Sequence, residues 1–152
     1  ADIVVIAPGN LYGSLAPALI VKGIRRSLKK TTAKIVYVCN LVTKPGQTDG
    51  FLVHDYVDEV ERFLGGKLLD FVIFNTDEPS EQQLSKYTHD GEYIIGFDLS
   101  VMEAKHYKTF GLPLIDKSPV THADHDPIAR NRTLIRHDSD LVAREVMKIL
   151  FP

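Results

Sequence analysis

Residues 2–14 read Asp-Ile-Val-Val-Ile-Ala-Pro-Gly-Asn-Leu-Tyr-Gly-Ser, an apolar run that passes directly into a turn containing glycine and polar residues. The β-branched run is typical of a buried strand in a parallel sheet. In open α/β sheets, ligands bind beyond the carboxyl ends of the strands. A glycine-containing turn there lets backbone N–H groups approach a phosphate, assisted by the positive end of the next helix. We therefore expect a phosphate or nucleotide site after the first strand, although an ordinary strand-to-helix connection would use similar residues.

Apolar runs typical of strands alternate with helical patterns along the rest of the chain. We expect strands at 3–7, 35–39 and 68–74, a weaker strand at 93–97, and a last short strand at 133–136. The run 112–115 contains Pro113, which cannot donate to a sheet, so it is an edge strand or no strand. Helical patterns cover 18–30, interrupted at Gly23, and 51–64, 80–87 and 138–150. This alternation predicts a Rossmann-like, doubly wound α/β fold with a mainly parallel sheet, as a single domain over residues 1–152.

The composition excludes several classes of protein. The 152 residues are 44% hydrophobic and 25% charged with a formal net charge of −2, which argues against a general nucleic-acid binder. Cys39 is the single cysteine, so an internal disulfide is excluded and a buried structural thiol is expected. No apolar stretch approaches the roughly 20 residues of a membrane span, and no signal-peptide pattern is present. We expect a cytoplasmic protein without a membrane partner, and leave open whether it forms a homo-oligomer.

Polar residues follow three of the predicted strands and therefore belong to one edge of the sheet. The segment 40–50 leaves the second strand as the first turn leaves the first strand, so the two loops are predicted to line one cleft. Its Thr48 or Asp49 could instead be a helix N-cap. Arg136 lies at the end of the last predicted strand, where its guanidinium could bind a phosphate or a carboxylate. The candidate ligand-binding residues are Pro8, Gly9, Asn10, Leu11, Tyr12, Ser14, Asn40, Thr43, Gly46, Thr48, Asn75 and Arg136.

Evidence for metal binding or covalent catalysis is weak in the sequence. His122 and His125 lie in the polar stretch 117–132, but no third ligand of similar quality is evident, and a polar loop near a cleft is the favoured interpretation. Asp49 and Asp77 are weak candidates for a metal ligand beside the phosphates. No nucleophile–base pair can be recognised, so the catalytic residues are unknown.

Three ordered segments resemble one family. Residues 2–14 are similar to the family pattern D-I-V-x-I-G-P-G-S-L-Y-T-S, residues 38–51 to V-x-N-L-M-T-Q-P-G-E-T-x-G-F, and residues 136–138 to R-H-D. The family is the CofD-like superfamily, which contains 2-phospho-L-lactate transferase and the gluconeogenesis factor YvcK, and the resemblance is closer to the YvcK branch. It extends to the C-terminal half of a typical member only, because the glycine-rich G-G-G-T-G loop of the first βα unit does not occur here.

The resemblance implies a nucleotide-linked ligand. A YvcK-like protein would bind a UDP-sugar and regulate carbon metabolism and cell-envelope synthesis without an established reaction, and we expect this function. A CofD-like transferase would instead move a phospholactyl-type group from a nucleotide diphosphate carrier with Mg²⁺. A third alternative is a fragment that binds no ligand tightly by itself. By the resemblance, 8–14 and 40–48 would line the cleft and Arg136 would contact phosphate or sugar.

Overall fold

A computed structural model describes residues 1–118 and 135–151. The strands are β1 (Ile3–Ile6), β2 (Lys34–Val38), β3 (Phe71–Asn75) and β4 (Lys108–Leu112). The helices are α1 (Ala16–Leu19), α2 (Lys22–Leu28), α3 (Val53–Leu64), α4 (Glu81–His89), α5 (Leu99–Glu103) and α6 (Ser139–Leu150), and a π-helical turn over Leu11–Leu15 runs directly into α1. Within the described ranges, no helix has the length and apolar character needed to cross a bilayer.

The four strands form one parallel sheet in the order β1-β2-β3-β4. Ile6 pairs with Tyr37, and Val38 pairs with Ile73, so β1, β2 and β3 end side by side. The loops after these three strands therefore emerge at one edge of the sheet, as the sequence predicts.

Both faces of the sheet are covered at β2 and β3, which explains why these two strands are largely apolar runs. In β2, Ile35, Tyr37 and Cys39 belong to the core on the face covered by α3, whereas Val36 and Val38 belong to the core on the face covered by α6. All five side chains are at most 3% exposed. The predicted α/β fold with helices on both sides of a parallel sheet is confirmed.

The fourth strand is not the predicted one. The segment 93–97 makes only an isolated antiparallel bridge between Ile94 and Val42, and its backbone pairs with the loop after β2. The place beside β3 is taken by Lys108–Leu112, whose lysine and glycine weaken the apolar pattern. Gly111 is required there, because a Cβ would lie 2.8 Å from the Phe74 ring.

The ends of the other predicted elements need smaller corrections. Of the run 112–115, Leu112 ends β4, and Ile115 makes an isolated bridge to His137. Residues 133 and 134 lie outside the described ranges, and Ile135–Arg136 do not form a strand. The predicted helix 18–30 is divided into α1 and α2 before Lys22 rather than at Gly23, and it begins earlier through the π-helical turn. The short helix α5 was not predicted.

The N-terminal caps of α6 and α3 differ in the residue that provides them. Asp138 is the N-cap of α6, and its side chain accepts a hydrogen bond from the Leu141 N–H at 2.9 Å. The expectation of an N-cap at Thr48 or Asp49 is wrong, since α3 starts at Val53 after the N-cap residue Leu52. The Leu52 N–H donates to Asp55 at 2.8 Å, so the acidic residue of the first turn caps this helix.

Candidate functional site

The loop after β1 is fixed at both of its ends. The Leu11 side chain is 2% exposed and anchors the start of the π-helical turn in the core. Asn10 is the N-cap of this turn, because its Oδ1 accepts a hydrogen bond from the Gly13 N–H at 2.6 Å. Among the described residues, the backbone N–H groups of Asn10, Leu11 and Tyr12 have no hydrogen-bond partner. The turn therefore leaves backbone donors uncommitted at a helix start, where an anion is favoured.

The loops after β1 and β2 are joined by a reciprocal pair of hydrogen bonds. The Asn40 Nδ2 donates to the Gly9 carbonyl at 2.8 Å, and the Gly9 N–H donates to Asn40 Oδ1 at 3.3 Å. Both residues are half-buried, so this amide pairing is partly shielded from water. The two predicted loops lie together as expected, but the Asn40 side chain serves the scaffold rather than standing free for a ligand.

A cleft of about 410 Å³ lies where these loops meet the segment before α6. Its lining comes from the two loops and from 135–137, and consists of Pro8, Gly9, Asn10, Asn40, Leu41, Val42, Ile135, Arg136 and His137. Five of the predicted ligand-binding residues are among them: Pro8, Gly9, Asn10, Asn40 and Arg136. The cleft is therefore the candidate binding site.

Arg136 supplies the positive charge of the cleft. Its Nε donates to Asp116 Oδ2 at 3.0 Å, and no other hydrogen bond of its guanidinium is found among the described residues. The pKa of the Asp116 carboxyl is lowered, first by hydrogen bonds from Ser118 and further by the charge of Arg136. Asp116 stays ionised and orients the guanidinium, whose terminal N–H groups can bind an oxyanion.

His137 stands beside Arg136 and was not among the predicted site residues. Its Nε2 lies 3.1 Å from the Cys39 carbonyl oxygen, and burial lowers the pKa of its imidazole below the usual 6.5. His137 belongs to the segment 136–138 that resembles the family pattern R-H-D, and this resemblance could have identified it as a site residue. Burial also raises the pKa of the Cys39 thiol to about 12, which confirms a buried, unreactive cysteine.

The remaining residues of the second loop hold its backbone in place. Thr43 and Thr48 are 5% and 1% exposed, and neither lines the cleft. Thr43 Oγ1 accepts from the Tyr93 N–H at 3.0 Å, while Thr48 Oγ1 accepts from the Lys44 N–H at 2.8 Å and the Tyr56 hydroxyl at 2.7 Å. Gly46 has a φ of +72°, which allows the loop to turn, and it also lies outside the cleft lining.

Two predicted residues of the first turn face elsewhere. The Tyr12 ring packs edge-on against Phe63 with centroids 5.9 Å apart, and burial, followed by Glu59, raises the pKa of its hydroxyl. Ser14 is exposed on the π-helical turn. Neither side chain lines the cleft, although Tyr12 carries one of the uncommitted backbone N–H groups.

The residues after β3 stay outside the cleft. Asn75 is 6% exposed, and it bonds the backbone of Asp77 and the Leu114 N–H. Asp77 forms an ion pair with Lys117 at 2.9 Å, and Asp49 is exposed. In the part of the chain that the structure describes, no three potential metal ligands are grouped. His122 and His125 lie outside the described residues.

Comparison with known proteins agrees with this architecture. The family model described as 2-phospho-L-lactate transferase CofD matches residues 1–115. A putative gluconeogenesis factor of Thermotoga maritima is 35% identical over 150 residues, which are 98% of this chain and 44% of that protein. The gluconeogenesis factor of Bacillus subtilis is 30% identical over 150 residues, or 99% of this chain and 43% of that protein.

A solved structure shows the same fold. The crystal structure of protein BH3568 from Bacillus halodurans superposes with a TM-score of 0.83 at 26% sequence identity. The match covers 97% of this chain and 43% of that chain. This chain therefore spans less than half the length of these relatives.

Proposed function

Because the chain belongs to the CofD family and is similar to gluconeogenesis factors, we propose that its cleft binds a nucleotide-linked sugar of the UDP-sugar type. The proposed role is regulatory, in carbon metabolism and cell-envelope synthesis. The role in carbon metabolism is supported by the similarity to gluconeogenesis factors.

One observation carries the binding proposal. The Gly9–Asn40 hydrogen bonds hold two strand-end loops together, with Arg136 on the lining of the cleft that they form. The guanidinium and the free backbone N–H groups at 10–12 are donors for phosphate oxygens. Leu41, Val42 and Ile135 provide apolar surface for a ring. Convergent anion donors beside apolar surface suit a nucleotide better than a free sugar.

We assign only part of the ligand site to this chain. The chain covers 43% or 44% of its relatives, so the activity of the whole protein is part of the proposal. The Arg136 guanidinium lines the cleft and can bind the phosphates, whereas we assign no described residue to the sugar. We therefore assign the nucleotide part of the ligand to this chain.

The alternative is a transferase, as the description of the family model suggests; by the resemblance it would use Mg²⁺ and a nucleotide diphosphate carrier. The described residues do not fit the metal: Asp77 is paired with Lys117, Asp49 is exposed, and neither lines the cleft. We derive no catalytic step through Mg²⁺ for this part of the chain.

Isothermal titration calorimetry with UDP-N-acetylglucosamine, and with GDP plus Mg²⁺ in parallel, tests the proposal. We expect the UDP-sugar to bind without Mg²⁺ and Arg136→Ala to weaken it at least about tenfold, as befits loss of a charged hydrogen bond. Arg26→Ala is the matched control, because Arg26 is exposed on α2, away from the cleft.

Each other outcome points to a rival. Binding of GDP that requires Mg²⁺, with no binding of the UDP-sugar, would favour the transferase. Absence of binding by either ligand would mean that this part of the fold has no tight nucleotide site by itself. Equal losses in Arg136→Ala and Arg26→Ala would show a nonspecific charge effect and remove the cleft from consideration.

A further inference from the structure

The polar side chains of the cleft differ in what they have left to offer a ligand. Asn10, Asn40, Arg136 and His137 are the polar side chains of the lining. Asn10 Oδ1 already accepts from the Gly13 N–H, and Asn40 Oδ1 already accepts from the Gly9 N–H. Arg136 has donors only. Among the described polar side chains of this lining, His137 is therefore the one with an acceptor to which no hydrogen bond is found.

The Cys39 carbonyl fixes which nitrogen of His137 carries the proton. A carbonyl oxygen can only accept, so Nε2, at 3.1 Å from it, must be the N–H donor. Burial lowers the pKa of the ring, so it is neutral near pH 7 and Nδ1 keeps its lone pair. The hydrogen bond found for the ring among the described residues is the one at Nε2, and none is found at Nδ1.

The ring also stands at a boundary between two environments. His137 lines the cleft and, together with Pro8, an adjoining apolar groove of about 360 Å³ that includes Val5, Val142 and Val146. Water is a poor competitor for an acceptor placed beside apolar surface, so a hydrogen bond formed there discriminates more strongly than one in open solvent.

We propose that His137 is a specificity-determining residue whose Nδ1 accepts a hydrogen bond from the ligand. The ligand class follows: an oxyanion for Arg136 and a hydroxyl or N–H donor within reach of His137. A nucleotide has both, since its diphosphate is anionic and its ribose 2′-hydroxyl or the N3–H of uracil can donate. The inference rests on the proposed nucleotide binding, and it adds the prediction that a nucleotide lacking the right donor is rejected.

The first test needs no ligand. Nitrogen-15 NMR of the His137 ring in the free protein distinguishes a protonated from an unprotonated Nδ1. We expect an unprotonated Nδ1 and a protonated Nε2 at neutral pH. The opposite tautomer would overturn the inference, whatever the protein binds.

The second test removes the ligand donors one at a time. UDP, 2′-deoxy-UDP and 3-methyl-UDP differ by one ribose hydroxyl or by the uracil N3–H. We expect one of the two analogues to bind about three- to tenfold more weakly than UDP to the natural chain, the range of one neutral hydrogen bond.

Two substitutions separate the acceptor from the support of the ring. In His137→Gln, the amide can still donate to the Cys39 carbonyl but no acceptor occupies the place of Nδ1, and the discrimination between UDP and the analogue should disappear. In His137→Asn, an oxygen can take the place of Nδ1, and the discrimination should persist. Retained discrimination in His137→Gln would overturn the inference, because a purely structural His137 would leave the ratio of the two affinities unchanged.

Failure of the proposed function looks different from failure of this inference. If the natural chain does not bind UDP, the proposed nucleotide binding fails, and the tautomer of His137 measured without a ligand then decides by itself whether Nδ1 can act as an acceptor. If UDP binds but both analogues bind equally well, nucleotide binding stands and the role of His137 is wrong.

Discussion

Asn75→Ala should destabilise the domain without removing a ligand contact. The side chain is 6% exposed, its Oδ1 accepts from the Leu114 N–H at 2.9 Å and the Asp77 N–H at 3.1 Å, and its Nδ2 donates to the Asp77 carbonyl at 2.7 Å. Alanine leaves the buried Leu114 N–H unpaired, at a cost of about 1–3 kcal/mol. The two bonds to Asp77 are nearer to solvent and add about 1 kcal/mol together.

We therefore expect the free energy of unfolding to fall by about 2–4 kcal/mol. For a domain of this size each kcal/mol shifts Tm by about 2–4 °C, so Tm should fall by about 4–16 °C. Urea unfolding gives the first quantity and calorimetry the second. Affinity for UDP-N-acetylglucosamine, measured well below the Tm of the variant, should stay within about twofold of the natural chain, since 0.4 kcal/mol is the free energy that corresponds to it.

Asn40→Ala is the matched variant with the opposite expectation. Its two hydrogen bonds to Gly9 are half-buried, so stability should fall by only about 1 kcal/mol. Nucleotide affinity should fall at least about tenfold because the two loops lose their fixed relation. The reasoning is refuted if Asn75→Ala unfolds like the natural chain but binds poorly, because Asn75 would then be the ligand contact that the sequence predicted.

Three further sets of substitutions test packing, buried hydrogen bonding and titration. Gly111→Ala should lower the free energy of unfolding by about 1–3 kcal/mol through overpacking. Gly23→Ala, with no atom within 4 Å of the added Cβ, should raise it by about 0.5–1 kcal/mol. Equal effects of the two variants in urea unfolding would contradict the close contact at Gly111. Thr48→Val should lower the free energy of unfolding by about 1–3 kcal/mol because it leaves two donors without their acceptor. Tyr56→Phe removes one of these donors and should lower it less. The reverse order would be inconsistent with these hydrogen bonds. The pKa of His137 is lowered in the folded state, so as the pH falls through 6.5 the unfolded chain takes up a proton that the folded chain refuses, and folding loses stability. His137→Gln should lose less stability than the natural chain between about pH 7.5 and pH 5.5, and parallel pH profiles would argue against a buried neutral ring.

The central strands β2 and β3 were predictable from the sequence, whereas β4, at one edge of the described sheet, was not. In β2, the four residues from Ile35 to Val38 are buried in succession, so hydrophobicity alone marks the strand. In β4 the pattern is Lys-Thr-Phe-Gly-Leu, with only Phe110 and Leu112 as larger apolar residues. Its position depends on Gly111 fitting against Phe74, a contact between distant parts of the chain that no local pattern contains.

The competing segment 93–97 shows the opposite error. Its apolar residues resemble a strand, but Thr43 and Leu41 bond its backbone, so it pairs with a loop. Burial of Ile95 at 3% exposure is therefore achieved outside the sheet. A sequence pattern predicts that a segment is buried; it does not specify the partner that buries it.

The position of the cleft could be predicted from the sequence, whereas the use of its side chains could not. Turns and strand ends place polar residues near a ligand, but the same turns carry backbone groups that must be hydrogen-bonded when buried. The side chains of Thr43, Thr48 and Asn75 accept hydrogen bonds from such backbone groups and do not line the cleft. What remains for a ligand is what the scaffold does not use: backbone N–H groups at the start of the π-helical turn, the free edge of the Arg136 guanidinium, and one nitrogen of His137. Among the described residues of the cleft, donors without a partner therefore outnumber side-chain acceptors without one, which favours an anion for affinity and leaves the His137 imidazole to select among anions.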